Sequence, residues 1–360
     1  MTEPWSSPLS EQLRIGVVGC GRMGAFHIRN YGQLDCARLV AVADPDAETR
    51  RKALGETRVL EYSDWRDMIE HGEDELDAIS IASPSELHAT IALEALAAGL
   101  HVLVEKPIAT TLPDALRMRG AAMEANRKLM VGHVERFNPA VSKLRELVAD
   151  GRLGTIYRAH ATRVGPLPTR IQDTGVAIDL ATHDLDVMQH ILGQSISEIY
   201  ADGGRFLHSS QEDLLTCLVR FSAEGEGDTL GLLDVNWLTP EKTREIVLIG
   251  ENGLLRASYI TQDVWFVESP SAPLHWDGLS MLRGDGEGAA VRFSLAKAEP
   301  LQAELEAFCR CVLDDTPEPV SAHDGVKALA AALAVRESAA VRRPVELLAI
   351  PEPQPLEVLA

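Results

Sequence analysis

The chain has 360 residues, enough for two domains and a sizeable core, and its apolar share and scattered charge are ordinary for a globular protein. Lys and Arg number 34 against 54 Asp and Glu, and the resulting charge of −20 counts against nucleic acid or an anionic membrane as partner. Five scattered cysteines, an odd number, suit reduced thiols in a cytoplasm; no apolar run reaches membrane-spanning length, and residues 1–12 lack the basic and apolar regions of a secretory signal.

In chain order, short apolar runs predict strands at 14–18, 39–43, 77–82, 101–104 and 129–131, with helical patterns between them such as 86–98. Ser85 can cap that helix and Gly99 can close it. This is the rhythm of a doubly wound parallel sheet. Beyond Phe137 longer strands follow at 157–164, 214–221, 231–238, 244–249, 253–258 and 264–268, which predict a separate antiparallel or mixed sheet domain with a few helices. Residues 300–342 read as helical with a break at 315–319, and Pro351-Glu352-Pro353 begins a loose tail. The expected division is 1–136, 137–345 and a tail at 346–360. Cys309 and Cys311, two apart on a helix, read as core and rim residues.

Behind the apolar run at 15–18, Gly19, Gly21 and Gly24 form the Gly-x-Gly-x-x-Gly turn that lets a backbone approach a pyrophosphate at a helix N-terminus. The next strand ends in Asp44, twenty residues beyond Gly24, where a carboxylate can hold a ribose diol and repel a 2′-phosphate. The expected cofactor is NAD rather than NADP, with Arg50 and Arg51 close enough to leave the choice open.

Three further clusters can carry chemistry. Glu105-Lys106-Pro107 follows a strand at the carboxyl edge of the sheet, where a lysine can stabilise a developing alkoxide; the alternative is a solvated loop lysine. In the helical segment 178–190, Asp179, His183, Asp186 and His190 fall in one arc. His183 can accept a proton at neutral pH with Asp179 orienting its ring, while a divalent metal site or a solvated stripe fits the same spacing. Arg136, Arg163 and Arg170 flank this region; their forks suit phosphate or carboxylate oxygens, and surface salt bridges are the competing reading.

This order of motifs, together with Asp324-Gly325-x-x-Ala328-Leu329 and Glu337-Ser338, resembles the glucose–fructose oxidoreductase and inositol dehydrogenase (Gfo/Idh/MocA) family over nearly the whole chain. The resemblance implies an α/β fold: an N-terminal Rossmann domain with a doubly wound parallel sheet, and a C-terminal α+β domain with an open, mostly antiparallel sheet used in homodimer or homotetramer contacts. It implies Lys106, Asp179 and His183 as the catalytic set. It further implies Gly19, Gly21, Arg22, Met23, Gly24, Asp44, Ser83, Pro84, His88, Glu105 and Lys106 as cofactor contacts. Arg136, Arg163, Arg170, Asp179 and His183 would bind the substrate, and no metal is required.

Residues 131–139, Gly165-Pro166-x-Pro168-x-Arg170 and 236–240 are similar to members of that family that oxidise the 3-hydroxyl of UDP-N-acetylglucosamine. A small sugar nucleotide in the cytoplasm is therefore the expected substrate. The alternatives are inositol, a free aldose, or a non-catalytic NAD-binding sensor on the same fold.

Overall fold

The computed structural model describes residues 12–71, 76–168, 174–208, 210–222, 228–269 and 288–351. The chain forms two compact units, the first from residues 1–134, 299–329 and 351–360, the second from 135–298 and 330–350.

In the first unit β1 (Leu13–Val18), β2 (Ala37–Ala43), β3 (Leu60–Tyr62), β4 (Ala78–Ile81), β5 (His101–Glu105) and β6 (Leu129–Gly132) make one parallel sheet in the order β3-β2-β1-β4-β5-β6. The crossovers run through α1 (Arg22–Tyr31), α2 (Ala47–Leu54), α3 (Trp65–His71), α4 (Ser85–Ala97) and α5 (Leu112–Glu124). Because helices cover both faces, the central strands are continuous apolar runs, and Ile15, Val17, Ile79, Ile81 and Val102 to Val104 are fully buried. Strand order reverses between β1 and β4, which leaves a crevice at the carboxyl ends of those strands. The Asp46 carboxylate caps α2 and the Thr111 hydroxyl caps α5. Pro84, not Ser85, takes the N-cap position of α4, and its fixed φ leads into the first turn without a side-chain cap.

The second unit holds a nine-stranded sheet: β7 (Ile156–Pro166), β8 (Ser195–Gly204), β9 (Leu214–Ser222), β10 (Thr229–Asn236), β11 (Leu238–Gly250), β12 (Gly253–Ser258), β13 (Asp263–Glu268), β14 (Ala290–Phe293) and β15 (Val345–Glu346). Its order is β14-β13-β12-β11-β7-β10-β9-β8-β15, antiparallel except for the β7–β10 pair. Alternation along β9 buries Leu215, Cys217, Val219 and Phe221 and leaves Thr216, Leu218 and Arg220 exposed, the pattern of a sheet covered on one face. The covering core includes Leu144 and Leu147 of α6 (Pro139–Ala149) and Leu185, Met188 and Ile191 of α7 (Thr182–Leu192).

The observed division differs from the sequence expectation. α8 (Pro300–Leu313) belongs to the first unit, packing on α1 and β1 with Leu301, Leu305, Phe308 and Cys309 buried. α9 (Ala322–Val341) begins in the first unit and ends in the second. It opens on a reciprocal cap between Ser321 and Asp324, and a Cβ on Gly325 would stand 2.7 Å from a Val131 methyl. Cys311 is buried like Cys309 rather than placed on a rim, and all five cysteines are free. The strand expected at 231–238 stops at Asn236, whose Oδ1 accepts from the amides of Leu238 and Thr239 and turns the chain. In the expected tail, the Pro351 carbonyl accepts a hydrogen bond from the Arg119 guanidinium at 3.0 Å, and the residues after it lie outside the described ones.

Candidate active site

The glycine turn after β1 has the shape its spacing demands. Gly19 has φ +89°, and a Cβ there would stand 2.7 Å from the Ala82 and Ser83 backbone. A Cβ on Gly24 would strike the Gly19 carbonyl, so this glycine lets α1 close on the loop. A Cβ on Gly21, the N-cap of α1, meets nothing within 4 Å, which leaves that approach open to a pyrophosphate at the helix N-terminus. Arg22 lies over the Phe26 ring and Met23 is partly exposed.

Asp44 follows β2 and is tied to the same loop: Oδ2 accepts from the Cys20 amide at 2.8 Å and Oδ1 from the Asp46 amide at 2.9 Å. Arg50 donates to the Asp44 carbonyl and pairs with Glu61 at 3.2 Å, so its guanidinium is already balanced, and Arg51 is exposed on α2. A ribose diol meets an acceptor here, whereas a 2′-phosphate would meet two carboxylates.

After β4, Ser83 and Pro84 lead into α4. His88 is buried between two carbonyls, Pro107 at 2.9 Å and Ser83 at 3.0 Å, and burial holds its ring below the ordinary histidine range. It therefore braces the Ser83 turn against the segment after β5, a supporting place rather than the cofactor contact expected of it. The Lys106–Pro107 peptide is cis. Glu105 is buried, and Lys106 beyond it is half-buried. Burial alone would raise the Glu105 carboxyl, but the His27 hydrogen bond and the Lys106 ammonium hold it below the usual carboxylate range.

In the second unit Asp179 lies in a π-helical turn, Ala177–Ala181, that feeds directly into α7 with His183 in its first turn. The Thr182 hydroxyl donates to the Ile178 carbonyl at 2.9 Å across the wide turn. Such turns concentrate at functional sites. The wide turn also breaks the uniform 100° wheel behind the expected four-residue stripe. Asp179 and His183 are half-buried, whereas Asp186 is buried in a bidentate pair with Arg136 at 2.6 and 2.8 Å. His190 faces Arg145 at 3.4 Å.

Arg163 is 1% exposed; it reaches Asp184 at 2.6 Å and Glu135 at 2.9 Å. It is a core residue, and this corrects its assignment as a substrate ligand, because its fork is spent on internal carboxylates. Arg136 is likewise engaged by Asp186, and Arg170 lies outside the described residues.

Three residues that sequence reading passed over matter here. Arg244 of β11 is half-buried 3.8 Å from Glu135, and the negative charge of Asp179 acts on it. His27 and Glu304 are buried polar groups in the first unit. A lone arginine in a strand and a histidine in an amphipathic helix carry no spacing signal. Among the described residues, no group of three or more His, Cys, Asp or Glu side chains could hold a metal ion, and no helix is long and apolar enough to cross a membrane.

A glycine cradle at a topological switch point, an acid after β2 and a lysine after β5 define a dinucleotide-dependent oxidoreductase. The family model described as "Oxidoreductase family, NAD-binding Rossmann fold" matches residues 13–133, and "GFO/IDH/MocA C-terminal domain" matches residues 141–256. The chain belongs to the Gfo/Idh/MocA family; its cofactor is NAD, and it acts on CH–OH groups. It is 26% identical to the UDP-N-acetylglucosamine 3-dehydrogenase of Acidithiobacillus ferrooxidans, over 90% of this chain and 96% of that one. It is also 26% identical to the myo-inositol 2-dehydrogenase of Thermotoga maritima, over 93% and 98%. The solved structure of the Acidithiobacillus enzyme superposes with a TM-score of 0.79, covering 91% of this chain and 97% of that chain.

Proposed function

We propose that the protein oxidises a secondary hydroxyl of a sugar nucleotide, the 3-hydroxyl of UDP-N-acetylglucosamine, to the ketone. The observation that carries the reading is the half-buried Asp179 on the π turn with the half-buried His183 in the first turn of α7, in a chain that also places Lys106 at the carboxyl end of β5. NAD, when bound, supplies the hydride acceptor. His183 removes the hydroxyl proton as general base, and Asp179 orients the imidazole and stabilises its protonated form. The Lys106 ammonium hydrogen-bonds the reacting oxygen as negative charge develops on it. Arg244, half-buried in β11, and Arg170, which lies outside the described residues, are the cations proposed to meet a pyrophosphate.

The 3-hydroxyl reading rests on the segments 131–139, 165–170 and 236–240. The internal pairing of Arg136 and Arg163 favours a second reading, a neutral cyclitol or free sugar, because it leaves fewer cations for a diphosphate. The test is NADH formation from NAD and UDP-N-acetylglucosamine with a carbonyl trap, run beside myo-inositol and free aldoses, on the intact chain and on His183→Ala. The variant should lose roughly 10²- to 10⁴-fold in kcat with NAD affinity kept. Turnover of inositol alone would replace the substrate, equal turnover by the variant would remove His183 as the base, and NAD binding without turnover on any sugar would leave a sensor.

The exposed Leu218 and Leu230 on the open sheet face fit a homodimer or homotetramer, to be read by sedimentation. The five free thiols suit a reducing cytoplasm.

A further inference from the structure

One buried imidazole joins three elements of the first unit. His27, in the second turn of α1, sets Nδ1 2.7 Å from the Ser80 hydroxyl of β4 and Nε2 3.0 Å from Glu105 Oε1 at the end of β5. The other carboxylate oxygen of Glu105, Oε2, accepts the backbone amide of Lys106 at 3.3 Å. The same helix that carries the glycine cradle at its N-terminus thus holds, through one carboxylate, the backbone on which Lys106 stands. Ser80, His27 and Glu105 are all buried, so the trio offers no nucleophile to a substrate; its order is that of a strut.

The surroundings agree with that role. A buried carboxylate needs a partner on each oxygen, and Glu105 finds one on His27 and one on the Lys106 amide. Tyr31, a turn further along α1, packs edge-on to the His27 ring at 6.3 Å. From α8, Glu304 is fully buried, and neither of its carboxyl oxygens has a hydrogen-bond partner among the described residues. Burial without a partner disfavours the charged form of such a carboxyl.

We propose that His27 is a positioning residue for Lys106, acting through the Glu105 carboxylate. This rests on the reading of Lys106 as the group that stabilises the reacting oxygen. Displacing such a group by about 1 Å costs on the order of 10²-fold in rate, so a strut one residue away is worth keeping.

The experiment measures single-turnover hydride transfer, sugar KM, NAD affinity and melting temperature in the full chain. His27→Ala should slow transfer roughly 10- to 100-fold with NAD affinity and KM nearly kept. His27→Gln, whose amide nitrogen reaches where Nε2 stands and can donate to Glu105, should recover most of the rate. His27→Asn, which reaches only toward Ser80, should not. In a Lys106→Met background the His27→Ala loss should vanish, because the strut no longer has anything to aim. Equal loss in both backgrounds, equal rescue by Asn and Gln, or no loss at all would overturn the proposal. Normal transfer by Lys106→Met alone would instead bring down the reading of Lys106, an outcome separable from a slow Lys106→Met beside a normal His27→Ala. Should His27→Ala fail to fold, the Gln and Asn pair still decides.

Discussion

Arg163 and Asp184 form a two-point ion pair, Nε to Oδ2 at 2.6 Å and Nη2 to Oδ1 at 3.2 Å, where neither side chain reaches solvent. Glu135 completes the arrangement from the other side of the guanidinium at 2.9 Å. Arg163→Met would strip the buried Asp184 carboxylate of its fork and leave Glu135 with the longer 3.8 Å contact to Arg244, and breaking a buried pair this way costs about 3–5 kcal/mol. The urea midpoint should fall accordingly, and Arg163→Lys should recover little because a point charge cannot serve both acids as a fork does. A normal midpoint with a raised sugar KM would return Arg163 to substrate binding.

Gly21 and Gly24 should fail differently. Gly21→Ala adds a methyl into open space on the cofactor approach, so melting should hold while the NAD dissociation constant rises at least roughly 10-fold, about 1.4 kcal/mol. Gly24→Ala drives a methyl into the Gly19 carbonyl and should lower both melting temperature and NAD binding. Calorimetric titration of NAD beside thermal melting separates the two.

Asp44→Asn keeps an acceptor for the Cys20 amide but removes the charge that excludes a 2′-phosphate. Hydrogen bonds to charged groups are worth about 1.5–3 kcal/mol, so kcat/KM for NAD should drop about 10- to 100-fold while NADP gains relative to NAD. An unchanged NAD to NADP ratio would show that Asp44 only pins the glycine loop.

Glu304 ties stability to pH. Burial, with Glu105 and Glu299 nearby, pushes its carboxyl well above the ordinary value of 4.5. A group with a raised folded-state pKa contributes stability that is full below the unfolded pKa and is lost as pH rises through the folded one. From pH 5 to pH 8 the intact chain should therefore lose more melting temperature than Glu304→Gln, which cannot ionise. Parallel losses would mean that Glu304 is ionised in the folded protein or that a bound group neutralises it.

Much of the first unit was legible because its signals are local. The parallel strands are unbroken apolar runs, and the cradle needs glycine at three fixed places, so 14–18, 101–104 and Gly19 to Gly24 declare themselves. β3 and β15 were not legible: each is short and exists only because a longer neighbour, β2 or β8, supplies its hydrogen bonds. For the site, Asp179 and His183 could be picked out by residue type, but not the π turn that carries Asp179, since an extra residue in a turn leaves no mark in composition. Arg163 shows the opposite failure. An arginine beside a suspected pocket looks like a ligand until its two acids, Asp184 and Glu135, prove to lie 21 and 28 residues away in the chain.

The return of α8 to the first unit sets an order on biosynthesis. When a ribosome has made the first 134 residues, all six parallel strands exist, yet the faces of α1 and β1 that Leu305 and Phe308 cover are bare. They stay bare through the synthesis of residues 135–298, the larger part of the second unit, which at 5–20 residues per second takes roughly 8–30 s. A nascent chain halted before residue 299 should therefore hold an unfinished first unit, sticky toward chaperones and open to proteases in α1, and a second unit still without residues 330–350. Fusing or truncating the protein at its apparent N-terminal domain boundary would make that transient state permanent.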